Sequence, residues 1–258
     1  MILSHRHRFL FVHCRKCAGS SCTVYLNRFL GPEDLQVGAW METRRAGGRY
    51  NRRFWRESIS PEGLREIAGL VGSKLCRGNL PKLPSILHAA QKRMYQRRLG
   101  DSPAHPTAKT LKQWAPREWE TYFTFCFVRN PFSRLVSDYR WRTRSRQRDV
   151  SFSEFLARLA DPDRPDPEGV VPRAVGNWPM YTLNDRIAVD FVGKVESLFD
   201  GMSTACERIG IPFDAADFPH AKSRQTDDTG YRTFYTDADV ELASSLCRHE
   251  IESFDYQF

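Results

Sequence analysis

Two segments of this chain each run from an apolar strand through a polar turn into a helix, and together they restrict it to an α/β fold. The first is Phe9-Leu10-Phe11-Val12 followed by His13-Cys14-Arg15-Lys16-Cys17-Ala18-Gly19-Ser20-Ser21. The second is Phe123-Thr124-Phe125-Cys126-Phe127-Val128 followed by Arg129-Asn130-Pro131, with Ser137 eight positions beyond Arg129. A nearly continuous apolar strand is the mark of the centre of a parallel sheet, buried on both faces. The small residues of the first turn aim successive backbone N–H groups into one concavity, the helix N-terminus adds partial positive charge, and Lys16 adds a full one. Arg129 leaves the carboxyl end of its strand, where ligands of parallel sheets bind, and folds back over the helix toward Ser137. Two such turns predict a ligand with two separate anionic groups.

The remaining pattern agrees with one α/β domain, a central parallel sheet flanked by helices. Strands are expected at 7–12, 122–128 and 189–192. Helices are expected at 20–30, 61–75, 84–99, 107–114, 131–143, 151–159 and 196–209. Ser60-Pro61 supplies an N-cap and an N1 proline, and Thr236-x-x-Asp239 is a capping box opening a last helix through Ile251. Residues 44–53 read as a loop, as does the proline-rich stretch 161–179.

The net charge of +8 favours polyanionic ligands. No zinc-finger, cold-shock or RNA-recognition motif accompanies it, so nucleic acid is not the expected partner. Seven cysteines, an odd number in a chain of 258 residues, read as reduced thiols. Cys14-x-x-Cys17 has no second ligand pair at a zinc-site spacing, so no metal is expected. No apolar run approaches the length of a membrane span, and the N-terminus carries no apolar signal region. The expected location is cytoplasmic.

The order of the first turn separates it from nucleoside triphosphatases. Their loop places Lys after the glycines, whereas here Lys16 precedes Gly19, and no acidic metal ligand ends the second strand. A P-loop kinase of a small molecule and a non-enzymatic polyanion- or nucleic-acid-binding protein are the alternatives to the reading that follows.

The two blocks resemble the donor motifs of sulfotransferases that use 3′-phosphoadenosine 5′-phosphosulfate (PAPS). The likeness is to the carbohydrate branch that includes the heparan sulfate 2-O- and chondroitin 4-O-enzymes and bacterial relatives. The family's first block, His-x-Pro-Lys-Thr/Cys-Gly/Ala-Gly/Ser-Thr/Ser-Ser, corresponds to His13–Ser21, with Arg15 in place of Pro. Its second block, Val-Arg-Asn/Asp-Pro-x-x-Arg-Leu-Val-Ser-x-Tyr, is matched throughout by Val128–Tyr139. Asp190–Glu196 and Ile251–Tyr256 also resemble this branch, and Pro219–Arg224 partly matches its donor-covering loop. The resemblance implies a P-loop-like sheet and a single sulfotransferase domain over 1–258. It implies PAPS as donor and adenosine 3′,5′-bisphosphate (PAP) as product, with no metal. Arg15, Lys16, Cys17, Ala18, Gly19, Ser20, Ser21 and Cys22 would hold the 5′-phosphosulfate. Arg129 and Ser137 would hold the 3′-phosphate, and Lys222, Ser223 and Arg224 would cover the donor. Lys16 would stabilise the leaving phosphate. The resemblance implies His105, between Pro103 and Pro106, as the base; His88 or a carboxylate such as Glu33, Asp34 or Glu42 is the alternative. The acceptor is expected to be a saccharide or small metabolite. The arginines at 44, 45, 49, 52, 53, 142, 144 and 146 would suit an anionic one.

Overall fold

The polar run His5–Arg8 turns the chain back on itself, with Arg8 in the left-handed region (φ 52). Ile2–Ser4 (β1) and Phe9–Val12 (β2) therefore pair as an antiparallel hairpin. The computed structural model describes residues 1–258 apart from 77, 79–81, 145–148, 173–175 and 220–229. Leu35–Gln36 (β3) adds antiparallel to the outer edge of β1. Phe123–Val128 (β4) lies parallel to β2. A separate small hairpin is formed by Thr182–Leu183 (β5) and Arg186–Ile187 (β6). Phe191–Lys194 (β7) completes the main sheet parallel to β4, in the order β3-β1-β2-β4-β7.

This corrects the all-parallel expectation. The three strands β2, β4 and β7 that carry the site are parallel, but a four-residue turn before β2 permits only an antiparallel partner, so the sheet is mixed.

Helices Gly19–Asn27 (α1), Trp40–Arg45 (α2), Arg52–Ser58 (α3), Pro61–Leu75 (α4) and Leu83–Leu99 (α5) fall between β2 and the middle of the chain. Ala108–Trp114 (α6) and Pro116–Thr121 (α7) lead into β4. Pro131–Thr143 (α8), Phe152–Ala160 (α9) and Trp178–Tyr181 (α10) follow it. Leu198–Arg208 (α11), Asp237–Leu246 (α12) and Arg248–Phe254 (α13) close the chain. The Ser60 cap and the Thr236–Asp239 capping box both form. The segment read as a loop at 44–53 instead holds the end of α2 and the start of α3, the latter capped by Asn51. The last helix is two, broken at Cys247 (φ −118), which lets Glu250 turn into the core.

Side chains of β4 alternate between two covered faces. Phe127 packs against the Cα atoms of Gly193 on β7 and Gly201 on α11, and a methyl at either glycine would strike its ring. On the other face Cys126 meets the thiol of Cys14, near Tyr181 and Glu250. A second cluster joins α8, α9 and α12 through Phe132, Leu135, Phe155 and Ala243. The carboxyl ends of β2 and β4, with the helices that follow them, frame the site.

Candidate active site

The turn after β2 is shaped by backbone rather than by side chains. Lys16 (φ 62) and Ala18 (φ 53) both adopt the left-handed conformation, which turns the intervening amides and the start of α1 to one side. Gly19 is required here because a methyl would sit inside the buried imidazole of His13. Ala18 offers no capping side chain, and the first turn of α1 contains no acidic residue. The helix end thus faces a cleft of about 380 Å³ lined by Arg15–Ser20, His105, Ser137, Trp141 and Arg142. Burial pulls the Arg15 guanidinium below its ordinary value, with Asp138 opposing. Lys16 Nζ stands 5.6 Å from the ring centre of Trp141, which is 58% exposed.

Asn177 braces this turn from the proline-rich segment. Its Oδ1 accepts from Arg15 N at 3.0 Å and its Nδ2 donates to Arg15 O at 2.8 Å. Nothing local in the sequence marks Asn177, because its partner is 162 residues away.

The turn after β4 is closed by protein groups. Asn130 Oδ1 accepts from Phe132 N at 3.0 Å, and Glu196 Oε1 accepts from Asn130 N at 2.6 Å. Arg129 Nε donates to Ser133 Oγ at 2.6 Å, which holds the guanidinium over the first turn of α8; Ser137 lies one turn further on. Neither terminal nitrogen of Arg129 has a hydrogen bond or ion pair among the described residues. Arg134 is structural: it is buried in an ion pair with Glu250 (3.2 Å), whose other oxygen accepts from Tyr181 Oη at 3.1 Å.

His105 lies in a turn closed by its own N–H on Ser102 O (2.7 Å). Its Nδ1 is 2.7 Å from the carbonyl oxygen of His13, and the two imidazoles meet edge to face at 4.6 Å. His105, Glu42, Ala39, Ser102 and Ala104 also border a second cleft of about 320 Å³ that includes His88.

Other expected site residues fall elsewhere. Cys22, expected among the donor-binding residues, is buried in the core with its amide on Ala18 O at 3.1 Å, and it does not line the cleft. Cys17 is on the turn, with its thiol directed at Arg15 O. Asp34 is buried and accepts from Ser4 Oγ and the amides of His5, Arg6 and Gly31, so it is a structural group and not a base. Glu33 is paired with Arg52 and Arg56. None of Arg44, Arg45, Arg49, Arg52 and Arg53 lines either cleft; Arg49 and Arg52 border a separate groove of about 730 Å³ beside the carboxyl end of α1. Lys222, Ser223, Arg224 and Arg146 lie outside the described residues. Among the described residues no group of three or more His, Cys, Asp or Glu is arranged to hold a metal, and no helix is long and apolar enough to cross a membrane.

A helix N-terminus at the carboxyl edge of parallel strands, a Lys in the turn and an Arg just past the end of the neighbouring strand define an α/β protein with a basic cleft. The model of the Sulfotransferase family matches residues 1–257, and the chain belongs to that family. It is 27% identical to mouse carbohydrate sulfotransferase 11 over 83% of this chain and 72% of the relative, and the rat protein matches equally. Zebrafish carbohydrate sulfotransferase 14 is 33% identical over 35% of this chain and 31% of its own length. No solved structure matches the chain significantly.

Proposed function

We propose that this protein, as one domain over 1–258, moves a sulfuryl group from PAPS to a hydroxyl of a saccharide or small metabolite. The observation that carries this reading is the hydrogen bond between His105 Nδ1 and His13 O. A carbonyl oxygen only accepts, so Nδ1 holds a proton, and in the neutral ring Nε2 keeps the lone pair. That is the tautomer a general base needs, and His105 borders both the cleft with Lys16 and its neighbour.

In this reading the turn amides and Lys16 bind the 5′-phosphosulfate, while Arg129 and Ser137 bind the 3′-phosphate. The acceptor oxygen bonds to sulfur as the bond from sulfur to the phosphate oxygen breaks, and PAP departs. His105 Nε2 takes the hydroxyl proton. Lys16 and the helix end oppose the negative charge growing on the leaving oxygen. The reading needs no metal ion, because a sulfuryl group carries less negative charge than a phosphoryl. The saccharide class draws on the relatives, which are named as carbohydrate sulfotransferases.

The His105→Ala variant tests it. kcat should fall by roughly 10²–10⁴, the range for a lost general base, while PAP affinity by calorimetry stays within about twofold. Retention of most of kcat, with loss in Glu42→Gln instead, would assign the base to the carboxylate.

A further inference from the structure

The turn after β2 holds a conformation that its own residues do not favour. Lys16 (φ 62) and Ala18 (φ 53) both bear a Cβ, and for such residues the left-handed region is costly. Returned to ordinary helical values, they would let α1 start a turn earlier, with the Gly19 N–H bonded to Arg15 O, four residues back. Among the described residues the Gly19 amide has no hydrogen-bond acceptor, so that bond is absent. Arg15 O is instead taken by Asn177 Nδ2 at 2.8 Å and by the Cys17 thiol at 3.3 Å. Asn177 Oδ1 accepts from Arg15 N at 3.0 Å, so one side chain holds both backbone polar groups of one residue. This is the paired arrangement by which antiparallel strands fix each other. Arg15 also stands where the resembling block has Pro. The chain therefore lacks a ring to fix the backbone there and has an N–H to satisfy, and Asn177 meets both needs.

We infer, on the sulfotransferase reading above, that Asn177 is a positioning residue of the donor site. By holding the N–H and C=O of Arg15 it keeps α1 from winding back to Arg15 and leaves the Gly19 amide open to the 5′-phosphosulfate. Backbone strain persists only where the surroundings over-determine it. Asn177 is placed to do so. It is 1% exposed, and its own carbonyl accepts from Met180 N at 2.8 Å. The helix it precedes, α10, is tied to Glu250 through Tyr181 Oη at 3.1 Å. Its amide satisfies Arg15 in one orientation alone, because a carbonyl only accepts and an N–H only donates. The second turn is held separately, Arg129 by Ser133 Oγ at 2.6 Å and the start of α8 by Asn130 at 3.0 Å, bonds in which Asn177 has no part.

The test is Asn177→Leu, which keeps the side chain's approximate bulk and removes its hydrogen bonds, with three ligands compared by calorimetry. Affinity for PAP and for adenosine 5′-phosphate should each fall about tenfold, the scale of one or two neutral hydrogen bonds, while affinity for adenosine 3′-phosphate stays within about twofold. Unchanged binding of adenosine 5′-phosphate would overturn the inference. So would equal losses for all three ligands, which a general loosening of the fold would produce. Amide hydrogen exchange of the unsubstituted protein decides the matter even where the variant does not fold. The Gly19 N–H should exchange as readily as an open loop amide, and PAP should slow it at least about tenfold. A Gly19 amide protected before PAP is added, or one that bound PAP does not slow, would overturn the inference while leaving the donor reading in place. Failure of the wild-type protein to bind PAP would instead remove the sulfotransferase reading itself, and an open Gly19 amide would still support the hold of Asn177 on the turn.

Discussion

The turn after β2 and the turn after β4 are built on one plan and solve the same problem in different ways. At the first, Lys16 and Ala18 hold left-handed φ values of 62 and 53, and no side chain caps the helix through Ala18. That conformation costs roughly 1–2 kcal/mol for each residue bearing a Cβ. It leaves the amides at the start of α1 directed at the cleft. At the second, Asn130 and Glu196 satisfy the helix end, so the proposed recognition rests on Arg129 and Ser137. The supports differ as well. Neutral hydrogen bonds from Asn177 brace the first turn, whereas a buried ion pair, Arg134–Glu250, anchors the helix of the second. A backbone-built site demands strain and small residues; a side-chain-built site demands fixed rotamers.

The largest effect should come from the charged support. Glu250→Gln leaves the Arg134 guanidinium buried without its counter-charge, and unfolding free energy from urea titration should fall by about 3–5 kcal/mol. A loss near zero would mean that α13 contributes little to holding α8.

Next is the charge at the backbone-built turn. Lys16→Ala should lower kcat roughly 10²–10³-fold, as for removal of one donor to a developing oxyanion, with thermal stability unchanged. Equal loss in PAP affinity and kcat would show that Lys16 binds the ground state instead.

Removing the side chain that defines the other turn should do less. Arg129→Ala deletes a charge-assisted contact worth about 1.5–3 kcal/mol. PAP affinity should fall roughly 10–100-fold and adenosine 5′-phosphate affinity hardly at all. Equal losses would move Arg129 away from the 3′-phosphate.

The smallest effect probes the strain itself. Ala18→Gly accepts φ 53 without a Cβ clash, so it should stabilise the protein by up to about 1 kcal/mol in the same urea assay. Destabilisation would indicate that Ala18 is not strained.

Much of this was legible in the chain because it is local. Apolar continuity marks Phe123–Val128 as a buried strand, Ser60 and Thr236 announce their helices through side chains three residues from the amides they cap, and Lys16 and Arg129 stand next to the strands that position them. Helices α2 and α3 were not legible, since Arg-rich segments with Gly47 and Gly48 lack an apolar period; their order comes from Trp40, Phe54 and Leu87 packing together. Nor could any local pattern show that Cys22 faces the core while Cys17–Ser20 line the cleft.

The sequence by itself determined an α/β chain with two anion-seeking turns, since strand burial, helix capping and the charge of Lys16 and Arg129 act over a few residues. Only the tertiary structure decided that the hairpin makes the sheet mixed, that Asn177 and Glu250 support the turns, and that His105 is tied to His13 O across 92 residues. It also decided which arginines face the clefts. Contacts between distant segments depend on how whole elements pack, and no short stretch of sequence contains that information.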